Sequence, residues 1–279
     1  MKIVLNNIID RDHSKPILLD HYHVPSQTKL PVIIFAHGYK GFKDWGGAWE
    51  LMGKAFANAG FCFIKFNFSH NGGTINNPLD FSDLESFGYN NYSKEVQDLN
   101  DVINWSISSL SEIIDTTSIN ILGHSRAGGI TTIVASQNKI VKKLVTLASV
   151  SDYKSRFLNG EALLKWKNDG VFYVKNGRTQ QEMPHYYQFF EDYIQNEEKL
   201  SIKNAALKLK IPHLIIHGAS DETVMIHEGH QLHQWSKKSE LVVIREANHT
   251  LGARHPWKSI YLPQHLRQAV QCCINFYKK

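Results

Sequence analysis

Residues 120–129 read NILGHSRAGG, an apolar run that passes directly into a Gly-His-Ser-Arg-Ala-Gly-Gly turn. The run has the length and composition of a buried strand, and a glycine-flanked turn after such a strand can hold one serine clear of the backbone. Ser125 is therefore a candidate nucleophile, provided the chain also supplies what a serine hydroxyl lacks. It needs a base to take its proton and donors for the oxyanion that forms on attack.

Three other segments offer these groups. EANHTLG (246–252) sets His249, a candidate base, in a polar loop after the last apolar run, and HGASDETV (217–224) sets Asp221 in a glycine turn after the run before it. FAHGYKG (35–41) offers a second glycine turn, whose backbone N–H at Tyr39 can pair with that of Arg126 as an oxyanion hole. Ser125, Asp221, His249 is the Ser, acid, His order of hydrolases built on a nucleophile elbow. Asp152, in ASVSDY (148–153), also follows a strand-like run and is the alternative acid, although its place at the start of an insertion equally suits a turn cap. Glu222 is adjacent to Asp221 and would have to point the other way.

Eight short apolar runs recur along the chain: KIVLNNII (2–9), PILLDHYHV (16–24), PVIIFAHG (31–38), FCFIKFNF (61–68), INILGHS (119–125), KLVTLASV (143–150), HLIIHGAS (213–220) and ELVVIREA (240–247). No helix fits between the first two, which predicts an antiparallel edge. The later runs are near-continuously apolar, as strands covered on both faces are. Helical spacing separates them: AWELMGKAFANAG (48–60) ends at Gly60, and residues 90–110 carry Val96, Leu99, Ile103, Ile107 and Leu110 on one face. HEGHQLHQW (227–235) and a C-terminal stretch with Leu266, Val270, Cys273 and Tyr277 in register add two more helices. The pattern predicts an α/β fold, a doubly wound, mostly parallel eight-stranded sheet, in one domain spanning 1–279.

Residues 151–205, between the sixth and seventh runs, are too long for a simple crossover and predict a small inserted cap. Within them VFYVKNGRTQQEM (171–183) places Asn176-Gly177 between two extended stretches, which predicts a type I′ hairpin, and HYYQFFEDYI (185–194) predicts an aromatic helix. The insertion holds 10 of the chain's 31 aromatic residues. A solvated loop has no need of them, so they either hold the cap to the sheet or wall a substrate pocket. Phe172, Tyr173, Tyr187 and Phe190 are the candidates for the second use.

The His37-Gly38 turn, the Gly123-His124-Ser125-Arg126 elbow and the Asp221 and His249 loops stand after successive strands, and in this the chain resembles the α/β-hydrolase-fold enzymes over nearly its whole length. One position departs from the family's Gly-x-Ser-x-Gly pattern: Ala127 stands where the last glycine is expected, with Gly128 and Gly129 behind it. Alanine is small enough for the helix to pack against the strand, which implies a slightly strained but working elbow. The cap, its hairpin and the loop HGYKGFKDWGG (37–47) are most similar to feruloyl (cinnamoyl) esterases and to dienelactone-hydrolase-like proteins, with serine here where true dienelactone hydrolases use cysteine. The resemblance implies a cofactor-free serine carboxylester hydrolase acting on a small-molecule ester. Two other readings stay open: a serine peptidase of prolyl-oligopeptidase type, against which no propeller-sized segment precedes the first strand, and a non-catalytic ligand-binding relative of the fold.

Composition narrows the remaining classes. The chain has 279 residues, 42% apolar and 20% charged, and a net charge of +5 from dispersed lysines and arginines with no basic block. Nucleic-acid binding is not expected. No apolar run approaches a membrane span and the N-terminus lacks a signal-peptide core, which together predict a cytoplasmic protein without membrane association, a second copy of the chain being the one macromolecular partner left open. Three cysteines, Cys62, Cys272 and Cys273, cannot build a disulfide framework. His227, His230 and His233 are spaced i, i+3, i+6, which does not gather all three on one helical face, and no metal is expected. His37 is expected to stabilise its turn, His124 and His217 to pack, and SHNGG (69–73) to be a turn.

Overall fold

A computed structural model describes residues 1–279. Eight strands form one sheet: β1 (Lys2–Ile9), β2 (Ile17–His23), β3 (Leu30–Ala36), β4 (Cys62–Phe66), β5 (Ile114–His124), β6 (Val141–Leu147), then, after the small hairpin β7 (Val171–Lys175) and β8 (Glu182–Tyr186), β9 (His213–Gly218) and β10 (Ser239–Ile244). The order across the sheet is β1-β2-β4-β3-β5-β6-β9-β10. β1 and β2 run antiparallel to their neighbours and the strands from β4 to β10 are parallel, so the antiparallel edge and the mostly parallel body are as the sequence predicts.

The continuous apolar runs are explained by burial on both faces. Along β3, Val32 and Ile34 enter one core and Ile33 and Phe35 the other, following the two-residue period of a strand. Helices α1 (Ala48–Asn58), α2 (Leu84–Gly88), α3 (Tyr92–Ser109), α4 (Arg126–Gln137), α5 (Gly160–Asp169), α6 (Gln188–Gln195), α7 (Ile202–Lys208), α8 (Ile226–Trp235) and α9 (Gln264–Lys278) complete the chain. Residues of α3, α4, α6 and α7 join the first core, and those of α1 and α9 the second. α3 starts where the Asn91 side chain accepts the Lys94 N–H at 2.9 Å, satisfying a first-turn donor. None of the helices is long and apolar enough to cross a membrane.

Two local expectations differ from the structure. β5 begins at Ile114, five residues before its apolar run, because Leu30 of β3 pairs with Ile114 and the polar residues between ride on that pairing. The hairpin does not use a two-residue type I′ turn: β7 and β8 are joined through 176–181, and the residue with positive φ is Gln180 at 62°, not Asn176 or Gly177. The Asn176 side chain instead accepts the Arg178 N–H at 3.0 Å while its backbone N–H donates to Gln181 O at 2.8 Å, so a local side-chain bond replaces the tight turn.

Candidate active site

Ser125 sits between the end of β5 and the start of α4 with φ 58° and ψ −123°, a conformation that costs a non-glycine residue of the order of 1–3 kcal/mol and holds its side chain out at the turn. The surroundings enforce it: Ser125 N–H donates to Leu147 O at 2.9 Å and Ser125 O accepts from Gly128 N–H at 2.9 Å. Close packing explains the glycines on either side. A Cβ on Gly38 would lie 2.9 Å from the Ser125 Cβ, and one on Gly128 would lie 2.2 Å from Ser149 Oγ. The Ala127 methyl is fully buried and accommodated, so the tight spot in this helix falls one residue later than the family pattern places it.

The three candidate residues meet. Ser125 Oγ–H donates to His249 Nε2 at 2.9 Å and His249 Nδ1–H donates to Asp221 Oδ2 at 2.8 Å. Asp221 Oδ1 accepts the N–H groups of Thr223 and Val224, both at 2.9 Å. Burial on its own would raise this carboxyl, but hydrogen bonding to the ionised form outweighs it, and the pKa is held well below the usual carboxylate range. His217 Nε2 stands 3.5 Å from Asp221 Oδ2, contributing with His249 and the Val224 N–H to that lowering, and directs its proton to Val224 O at 2.8 Å. Asp152 lies elsewhere and accepts the Ser155 N–H at 2.7 Å, the turn-capping alternative.

Two histidines hold the loops. His124 Nε2–H donates to the His249 carbonyl at 3.0 Å, and burial lowers its pKa to about 3, keeping it neutral. It thus supports the His249 loop, more than the packing residue its sequence suggests. His37 Nδ1–H donates to Gly38 O at 2.9 Å and its Nε2 accepts from Phe68 N–H at 3.4 Å, which fastens the Gly38-Tyr39 turn as expected. The Tyr39 N–H has no hydrogen-bond partner within the protein. Arg126 N–H belongs to the first residue of α4, where backbone donors are free of intrahelical partners.

Ser125 opens onto two cavities. One, of about 120 Å³, lies between the Gly38-Tyr39 turn, Trp45, Trp49 and His249. The other, of about 370 Å³, is walled by Tyr92, Phe157, Trp166, Phe172 and Phe189 from α3 and the insertion. Of the aromatics predicted to line a pocket, only Phe172 does. Tyr173, its neighbour on β7, points outward and is 57% exposed, as strand alternation demands. Tyr187 and Phe190 pack behind Trp166, and Phe189, one position along α6, takes the wall.

The polar groups of the larger cavity were not legible as such. Arg126 extends its guanidinium over the Tyr39 ring, 4.1 Å from the centroid, and its Nη1 donates to Glu95 Oε1 at 3.1 Å. Tyr39 Oη–H donates to His185 Nε2 at 2.7 Å, and burial pushes the phenol up to about 12 and the imidazole down to about 4, so both are neutral. Trp166 Nε1–H donates to His185 O at 2.8 Å. These contacts join the Gly38-Tyr39 turn, α3, the elbow and the insertion, which lie far apart in sequence.

A model of the α/β hydrolase fold family matches residues 31–167. Among solved structures, Est1E from Butyrivibrio proteoclasticus superposes with a TM-score of 0.70 at 14% identity, covering 98% of this chain and 97% of its own. Alpha/beta hydrolase domain-containing protein 10 from mouse gives 0.70 at 16% identity, with 98% of both chains covered. A putative dienelactone hydrolase from Klebsiella pneumoniae gives 0.65 at 18%, with 100% of both covered. No curated protein matches by sequence. The chain has the α/β-hydrolase fold. At these identities the likeness establishes the fold, and its chemistry has to be argued from its own residues.

Proposed function

We propose that the protein is a serine hydrolase that cleaves carboxylic esters, with an aromatic acyl group in the larger cavity. The observation that carries this reading is the unbroken chain Asp221–His249–Ser125, at 2.8 and 2.9 Å, ending at a serine that opens onto an aromatic cavity. In this mechanism His249 Nε2 takes the Ser125 proton as Oγ attacks the ester carbonyl, and Asp221 fixes the tautomer and stabilises the imidazolium. The N–H groups of Tyr39 and Arg126 receive the oxyanion. His249 then returns the proton to the leaving alcohol, which departs through the smaller cavity, and a water activated by the same imidazole hydrolyses the acyl-enzyme. Residues 151–205 act as the cap, and through Phe172, Trp166 and Phe189 they select the acyl group.

Ferulic acid is bound to Est1E in one of the solved neighbours, which supports the ester reading, whereas another neighbour, an acylaminoacyl peptidase from Pyrococcus horikoshii of which the match covers 41%, carries the peptidase alternative. A panel of p-nitrophenyl acetate, hydroxycinnamate methyl esters and aminoacyl nitroanilides separates them. The proposal expects hydroxycinnamate esters to have the highest kcat/KM. Phe172→Ala should lower kcat/KM for these esters by about tenfold or more while acetate changes by less than about twofold, and Tyr173→Ala should leave both nearly unchanged. Preference for the nitroanilides would establish the peptidase reading, and equal losses on every ester in Phe172→Ala would reduce the cap aromatics to packing.

A further inference from the structure

His21 and His23 alternate along β2 and so project from the same face of the sheet, and His23 lies across from Cys62 in the β2–β4 register, where His21 pairs with Ile64 and Tyr22 with Phe63. All three side chains are buried, at 4%, 4% and 0% exposure. Neither imidazole makes a hydrogen bond, and the Nδ1 atoms of both are sealed from solvent without a partner. Two buried imidazoles, each with an unpaired ring nitrogen, beside one thiol are an arrangement that folding penalises unless something else satisfies those nitrogens. One potential ligand atom from each residue lies within 4.8 Å of the other two.

We propose that His21, His23 and Cys62 bind a single divalent transition-metal ion of the zinc type, with water as fourth ligand. Two imidazole nitrogens and a thiolate are a borderline-soft donor set of the kind that selects zinc over magnesium or calcium. Tetrahedral coordination at ~2.0–2.1 Å for nitrogen and ~2.3 Å for sulfur needs donors roughly 3.5 Å apart, so each has to move by about 1 Å or less. On binding, Cys62 releases its proton to solvent and the thiolate sulfur and two imidazole lone pairs form the metal bonds, with no change of oxidation state.

Position assigns the site a structural use. Cys62 is the first residue of β4, at the end of the parallel strands opposite to the one from which Ser125 projects. A metal there ties the antiparallel edge to the parallel body and takes no part in ester cleavage. The test is titration of the chelator-treated, full-length protein with Co²⁺, followed by its absorption. The expected result is saturation at one ion per chain with a thiolate-to-cobalt charge-transfer band and the intense visible bands of a four-coordinate ion. Cys62→Val, which keeps the apolar volume, should abolish the charge-transfer band, and His23→Phe should weaken affinity by more than about 100-fold, beyond the 10–100-fold that loss of a merely supporting partner brings. Absence of saturable binding to the wild-type chain, or the same band and affinity in either folded variant, would overturn the assignment whatever the outcome on esters.

Discussion

The Asp221 carboxylate uses one oxygen for His249 and the other for two backbone N–H groups of its own loop, so its direction is fixed before any substrate arrives. Replacing it with asparagine keeps the shape and offers the imidazole the wrong partner, because an amide donor stabilises the tautomer with Nε2 protonated. Asp221→Asn should therefore lower kcat by about 10⁴-fold near neutral pH, while Asp152→Asn, which removes only a turn cap, should cost less than about tenfold. Both are measured on the fastest ester in the panel, and the reverse ranking would move the acid to Asp152. At this scale the sequence was readable where a residue's place depends on its position after a strand: Ser125, Asp221 and His249 were singled out from their loops and their order, and the three side chains meet. It was silent where the role depends on a distant partner. Nothing in HGYKG tells that the Tyr39 hydroxyl reaches His185, 146 residues later.

The elbow is the element on which the geometry turns. Its helix lies so close to the loop after β6 that Gly128 faces Ser149 with no room for a methyl, whereas Ala127 already carries one without conflict. Gly128→Ala should then lower stability by about 1–3 kcal/mol through overpacking, and should slow turnover as α4 shifts Arg126 N–H. Ala127→Gly should lower stability by about 2 kcal/mol, roughly half from helix propensity and half from a lost buried methyl, with kcat nearly unchanged. Urea unfolding and ester kinetics on the two variants check this, and a gain of activity in Ala127→Gly would show that the alanine had compromised the elbow. Elements with a strong period were legible: all eight apolar runs are strands of the main sheet. α5 was not, because only one of its residues, Trp166, is buried and its remaining face carries no continuous apolar stripe. The Asn176-Gly177 signal misled because the Asn176 side chain can satisfy the local N–H groups itself, which removes the need for a tight turn.

The whole molecule buries an unusual set of imidazoles. Burial lowers His37 and His185 to about 4 and His124 and His213 to about 3, all below the ordinary value of about 6.5. With folded values depressed, the unfolded chain takes up protons first as the pH falls, so the folded state is favoured above about pH 6.5 and loses stability down to about pH 4, by up to roughly 1.4 kcal/mol per pH unit for each group. Asp221 acts in the same direction at lower pH, since a carboxyl depressed on folding contributes stability above its unfolded value of about 3.9 and loses it below. The urea midpoint should accordingly fall steadily between about pH 7.5 and about pH 5, with proton uptake on unfolding. A flat profile over that range would show that these imidazoles titrate in the fold as they do in the unfolded chain.

The central claim, that Ser125 is a nucleophile activated by His249, is tested most directly by reaction with a fluorophosphonate followed by mass-spectrometric mapping of the adduct. The account predicts one adduct per chain, on Ser125, absent from Ser125→Ala and formed more slowly by about 10³-fold or more in His249→Ala. An adduct retained by folded Ser125→Ala, or none on the folded wild-type chain, would contradict it.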